Sequence, residues 1–109
     1  MSYKVKTVLP FEKEARRLSK KYPSLKKELQ KLVGELKQNP DMGIPLGRNC
    51  FKIRISIKSK GKGRSGGGRI ITHVLFREET VFLLSIFDKA DLETLGDKEI
   101  QALIKKIPY

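Results

Sequence analysis

The stretch from Phe51 to Lys58 constrains this chain more than any other. Phe51, Ile53, Ile55 and Ile57 alternate with Lys52, Arg54, Ser56 and Lys58. A period of two puts the apolar set on one face of a β-strand and the basic set on the other. Such a strand needs a hydrophobic layer against one face and leaves a cationic surface on the other. Directly after it, Ser59 to Gly68 reads SKGKGRSGGG, too rich in glycine for regular structure. Two more β-rich runs follow, Arg69 to Phe76 and Val81 to Phe87, with a hairpin expected across residues 77–80.

The rest of the chain supplies the layer beneath. Tyr3 to Val8 carries a short, imperfect strand signal. Pro10 suits a first helical turn, and Phe11, Ala15, Leu18 and Tyr22 recur at helical spacing, so a helix is expected over roughly 10–21. Pro23 interrupts it, and Ser24 is placed to cap a second helix with the stripe Leu25, Leu29, Leu32, Val33 and Leu36. Asn39-Pro40 ends that helix. Residues 41–49, with Gly43, Pro45 and Gly47, read as a loop. A last helix is expected from Thr94 or Asp97, capped by that pair and presenting Ile100, Leu103, Ile104 and Ile107. The expected fold is therefore α+β: strand, two helices, three strands and a helix, with a largely antiparallel sheet and helices packed on one face. With 109 residues and no linker or repeat, residues 1–109 are expected to form a single domain.

Charge points to the kind of partner. The chain carries 24 Lys+Arg against 12 Asp+Glu. Between Asp41 and Glu78 there are nine bases and no acid, so most of the excess sits in one segment. Segregation of this kind suits a polyanion, because each neutralised phosphate releases counterions; a merely solvated surface would intersperse both signs. No apolar run is long enough to span a bilayer and no signal peptide is visible, which together with a single cysteine, Cys50, leads us to expect a cytoplasmic protein away from membranes.

Several chemistries are disfavoured. Gly61, Gly63 and Gly66 spell G-x-G-x-x-G, but a strand follows where a dinucleotide fold needs a helix. The glycines instead let Lys58, Lys60, Lys62 and Arg64 approach a phosphate chain. His73 is the only histidine and no carboxylate lies between Met42 and Arg77, so neither a metal site nor a cofactor is expected. RNA can still be cut when its own 2′-hydroxyl attacks the adjacent phosphorus. The protein must orient that hydroxyl, take its proton, neutralise the phosphoryl oxygens and protonate the leaving 5′-oxygen. Lysines and arginines can do the charge work, and Lys52, Arg54 and Arg69 fall together on the expected basic face.

The K-I-R of Lys52–Arg54, the S-K-G-K-G-x-x-G-G-x-R-I-I segment and the L-x-x-I-F-x-K ending at Lys89 resemble the HigB branch of the RelE/ParE toxin superfamily. The resemblance spans nearly the whole chain in element order. It implies a type II toxin-antitoxin component neutralised by a cognate antitoxin, usually a helix-turn-helix protein through which operator DNA is reached only indirectly. It also implies a ribosome-dependent, metal-independent mRNA endoribonuclease (an mRNA interferase) that inhibits translation. Carried over residue by residue, Lys52 or Arg54 would help activate the 2′-hydroxyl, and Arg69 and Lys89 would stabilise the transition state. The family's C-terminal tyrosine has no counterpart before Tyr109, and Phe87 stands where an aromatic often occurs, able to stack on a base but not to exchange a proton. His73, Lys52 and Tyr109 remain open as the general base. Two other readings stay in view: a ParE-like inhibitor of DNA gyrase, and a degenerate, non-catalytic RNA-binding protein.

Overall fold

The computed structural model describes residues 2–61 and 66–108. Strand β1 (Lys4–Thr7) leads into helices α1 (Leu9–Lys21) and α2 (Leu25–Gln38). Pro10 occupies the first turn of α1, where a missing N–H costs nothing. Phe11 and Leu18, seven residues apart, bury one face of α1; Leu25, Leu32 and Leu36 do the same for α2. Ser24 precedes α2 as expected, but its hydroxyl caps no N–H of that helix. It donates to Glu28 and accepts from the Ser59 N–H at 2.9 Å, fastening the helical pair to the chain beyond the basic strand.

A short strand, β2 (Ile44–Gly47), forms where a loop was expected. It pairs with β3 (Cys50–Ile55) through a tight turn in which Arg48 and Asn49 have φ of 56° and 58°. Two left-handed residues match the twist of a hairpin, and asparagine tolerates that region better than most. Pro45 is accommodated because β2 is an edge strand, where no donor is needed on the outer side. Strands β4 (Gly68–Leu75) and β5 (Thr80–Asp88) complete a sheet of order β1-β5-β4-β3-β2, parallel between β1 and β5 and antiparallel elsewhere. The β4–β5 turn is a 3-10 turn over Phe76–Glu78 with Glu79 left-handed.

Register assigns the faces, because directly opposed residues share one. Ile53, Ile70 and Ile86 lie in one row and, with Ile55, Leu18, Leu25 and Leu32, build the core under α1 and α2. Arg54, Arg69 and Phe87 form a row on the opposite face, as do Lys52, Ile71 and Ser85. This second face, expected to be an open surface, is in part covered. The chain after β5 turns back so that Glu93 meets Arg69 and Asp97 meets Arg48. Helix α3 (Asp97–Ile104) then buries Ile100, with Ile107 following. Gly96, rather than Thr94, stands at its N-terminus, and the Glu99 carboxylate accepts the Gly96 N–H at 3.0 Å.

Candidate nucleic-acid interface

The arrangement of cations on β3 and β4 follows from pairing alone. Arg54 opposes Arg69 directly, and Lys52 lies two residues along β3 on the same face. Adjacent strands are roughly 4.8 Å apart and two residues span roughly 6.6 Å, so three cationic side chains start from one small area of sheet. Arg54 is exposed, Lys52 is half-buried, and both also border a groove of about 650 Å³ between α2 and the β2–β3 edge. Lys89, exposed, follows the end of β5 one residue beyond Asp88, and its N–H donates to Gly67 at 3.1 Å. Gly68 opposes Asp88 in the β4–β5 pair, so Lys89 emerges beside the end of β4 from which Arg69 projects.

Arg69 shares the row but not the exposure. It is 1% exposed, its guanidinium meeting the Glu93 carboxylate at 3.2 Å and donating to the Gly68 carbonyl at 3.0 Å. Phe87, in the same row, is 8% exposed and belongs to the core, which corrects its reading as a stacking platform. His73 also lies on this face, but four residues from Arg69 along β4, roughly 13 Å at strand rise. It is buried, with Nδ1 3.4 Å from the Cys50 Sγ, and burial pushes its imidazole below the usual value of 6.5. By register Lys52, Arg54 and Arg69 share one stretch of sheet face, with the Lys89 backbone at its end; His73 is diagonal to Lys52 on the side away from Arg69 and is buried against Cys50.

The glycine-rich segment needs a second correction. Lys58 is exposed, as expected for a phosphate contact. Lys60 is not available for one. Its ammonium pairs with the buried Asp88 carboxylate and donates to the carbonyls of Gly66 (2.7 Å) and Gly67 (3.3 Å). Lys62, Arg64 and Tyr109 lie outside the described residues. Asp88 also accepts from the Tyr22 hydroxyl at 2.6 Å and from the Ala90 N–H at 2.9 Å. Burial alone would raise its pKa; the bonds from Lys60, Tyr22 and Ala90 outweigh burial and hold it at about 2.

Three acids of the C-terminal third therefore answer three bases of the basic segment: Asp97 for Arg48, Asp88 for Lys60, and Glu93 for Arg69. Lys52, Arg54, Lys58 and Arg77 form no ion pair among the described residues. Neither Glu93 nor the Tyr22–Asp88–Lys60 cluster was anticipated. The one hint in the sequence is that Asp88 is the only acid inside an otherwise apolar strand run, a position where a carboxylate needs a partner.

No protein-family model matches the chain. Among solved structures, a mutant of the Escherichia coli toxin RelE in the free state superposes with a TM-score of 0.66 at 22% identity, covering 99% of this chain and all of that one. The fold is that of the RelE toxins. The RelE-like architecture is seen again in the RelBE2 toxin-antitoxin complex of Mycobacterium tuberculosis, with a TM-score of 0.59 and 20% identity over 84% of this chain and 95% of that one. It also recurs in the intact E. coli RelBE toxin-antitoxin complex, with a TM-score of 0.52 and 24% identity over 80% of this chain and 96% of that one.

Proposed function

We propose that this chain is the toxin of a type II toxin-antitoxin pair and an mRNA endoribonuclease working on the ribosome. The observation that carries the reading is the convergence of Lys52, Arg54 and Arg69 on one sheet face with Lys89 at its end. On this reading the sheet face orients the scissile linkage so that the 2′-hydroxyl lies in line with the phosphorus. Lys52 or Arg54 faces the attacking hydroxyl, and Arg69 and Lys89 take up charge on the phosphoryl oxygens. The chemistry requires no metal, since the cations supply the positive charge. Glu93 competes with an incoming phosphate for the Arg69 guanidinium, so binding there exchanges one anion for another. A partner antitoxin fits the RelE-like fold and, on charge complementarity, presents acids to the basic segment.

The burial of Arg69 favours a second reading, an RNA-binding protein that does not cut. One experiment decides. The protein is expressed briefly and mRNA 5′ ends are mapped on translating and on translation-blocked messages, with and without chelator in the lysate. New 5′ ends that require translation and persist in chelator support the nuclease. Growth arrest with intact mRNA removes it, and arrest accompanied by inhibited gyrase supercoiling would install the ParE-like activity in its place.

A further inference from the structure

We infer that Asp88, with Lys60 and Tyr22, is a positioning clip that sets the Lys89 turn, and that Lys60 is thereby withheld from RNA. The inference deepens the proposed function and rests on it only for the cleavage measurement described below.

Three separate parts of the chain meet at one carboxylate. Tyr22 comes from the end of α1, Lys60 from the 3-10 turn after β3, and Asp88 from the last position of β5. Asp88 is 2% exposed and Lys60 12% by side chain, so neither charge is satisfied by bulk water. A carboxylate this deeply placed needs its partners, and it has three: an ammonium, a phenol and a backbone N–H. Lys60 is equally committed, with its three donors matched by Asp88 and the carbonyls of Gly66 and Gly67.

The geometry of the Lys89 turn depends on this cluster at two points. The Ala90 N–H is held by the same Asp88 oxygen that pairs with Lys60. The Lys89 N–H is held by Gly67, whose carbonyl also receives the Lys60 ammonium. Lys60 therefore ties the end of the glycine-rich segment to the end of β5, and the backbone of Lys89 sits between the two tie points. Gly67 itself is packed so closely that an added Cβ would lie 2.2 Å from the Ile55 carbonyl, which fixes this carbonyl relative to β3 and hence to Arg54. The clip thus sets Lys89 against the cations of the sheet without touching RNA.

The test compares Lys60→Met and Asp88→Asn with Lys58→Met, a substitution of an exposed lysine in the same turn. Tyr22→Phe removes one donor and no charge, and guards against global loss of fold, which circular dichroism monitors. Amide exchange is read at Lys89 and Ala90, binding to a single-stranded RNA oligonucleotide is read against salt, and single-turnover cleavage is read on programmed ribosomes over a series of protein concentrations up to saturation. Exchange at both amides is expected to speed up about tenfold in Lys60→Met and Asp88→Asn, and less in Tyr22→Phe. The salt slope is expected to stay at the wild-type value in Lys60→Met and to fall by about 0.7 in Lys58→Met, the loss of one phosphate contact on a single strand. Cleavage is expected to slow about tenfold with an unchanged half-saturating concentration. A slope that falls equally in Lys60→Met makes Lys60 an RNA ligand and overturns the inference. So does wild-type exchange at Lys89, or wild-type cleavage despite faster exchange, which reduces the cluster to a stability element. If the unsubstituted protein cuts nothing, the nuclease proposal falls, while exchange and salt slope still decide whether the clip holds the turn and withholds Lys60.

Discussion

Arg54 and Arg69 are direct partners across β3 and β4, yet one is exposed and the other is 1% exposed beneath Glu93. The two arginines therefore differ in what their removal costs. Arg54→Ala is expected to abolish mRNA cleavage while changing stability by no more than about 0.5 kcal/mol, as for a surface position. Arg69→Ala is expected to abolish cleavage and also to cost about 3 kcal/mol, because it leaves a buried void and strands polar partners. Urea unfolding beside a cleavage assay checks both. An Arg69→Ala protein that still cuts would remove Arg69 from the site.

Glu93 gives a prediction of opposite sign. Its side chain is 47% exposed, so its pair with Arg69 is worth about 1 kcal/mol or less. Glu93→Gln is expected to leave the melting temperature nearly unchanged and to tighten RNA binding by up to about fivefold, the equivalent of that energy. A titration of labelled RNA showing weaker binding than wild type would mean that Glu93 does not compete with phosphate.

Two glycines separate crowding from freedom. Gly34 lies on the exposed face of α2 with nothing near a built Cβ, so Gly34→Ala is expected to stabilise the protein by about 1 kcal/mol through helix propensity. Gly67→Ala would thrust its Cβ into backbone and is expected to destabilise it by more than that amount. Thermal melts of the two variants should move in opposite directions.

Stability should depend on pH through two buried groups on one row of the sheet, His73 and Cys50. Burial lowers the His73 imidazole below 6.5, so its contribution is complete above pH 6.5 and is lost as pH falls through the lower folded value. Burial raises the Cys50 thiol from 9.0 to about 11, so its contribution is complete below pH 9 and is lost as pH rises towards 11. Denaturant midpoints measured from acid through neutral pH up to about 11 should form a plateau with two shoulders. His73→Phe should flatten the acid shoulder alone.

A steeper loss belongs to Asp88. Its carboxyl is held at about 2 against an ordinary 3.8, so the stability it confers is present above pH 3.8 and disappears as pH falls towards 2. Asp88→Asn is expected to be less stable at pH 7 by on the order of 2 kcal/mol and to lose less on acidification. An acid limb identical to wild type would show that Asp88 is not the group responsible.

Local physics explains what was legible beforehand. The alternation from Phe51 to Ile57 predicts β3 and its two faces, because side-chain direction in a strand is set by parity alone. The leucine stripe of α2 and Pro23 predict the helical pair for the same reason. What stays hidden depends on partners far along the chain. Lys60 reads as a solvent-facing loop lysine until Asp88, twenty-eight residues later, is seen beside it. Arg69 reads as an open cation until Glu93 is placed upon it. Strand β2 escapes a reading of composition because Gly43, Pro45 and Gly47 are turn residues; pairing with β3 and the freedom of an edge position override that preference. Phe87 misleads because a strand that is covered on both faces buries its aromatics whichever way they point.

Strand β2 pairs only as far as Ile44 with Lys52, so beyond that point Ile53, Arg54 and Ile55 have no strand beside them on that side among the described residues. A bare strand margin next to the half-exposed Ile44 is a template on which copies of a protein can stack into aggregates. Lys52 and Arg54 stand along that margin, and bringing two such margins together would oppose like charges. Neutralising both residues to silence the chemistry should therefore also make the protein sticky, so a soluble inactive form is better sought by substituting one of them at a time.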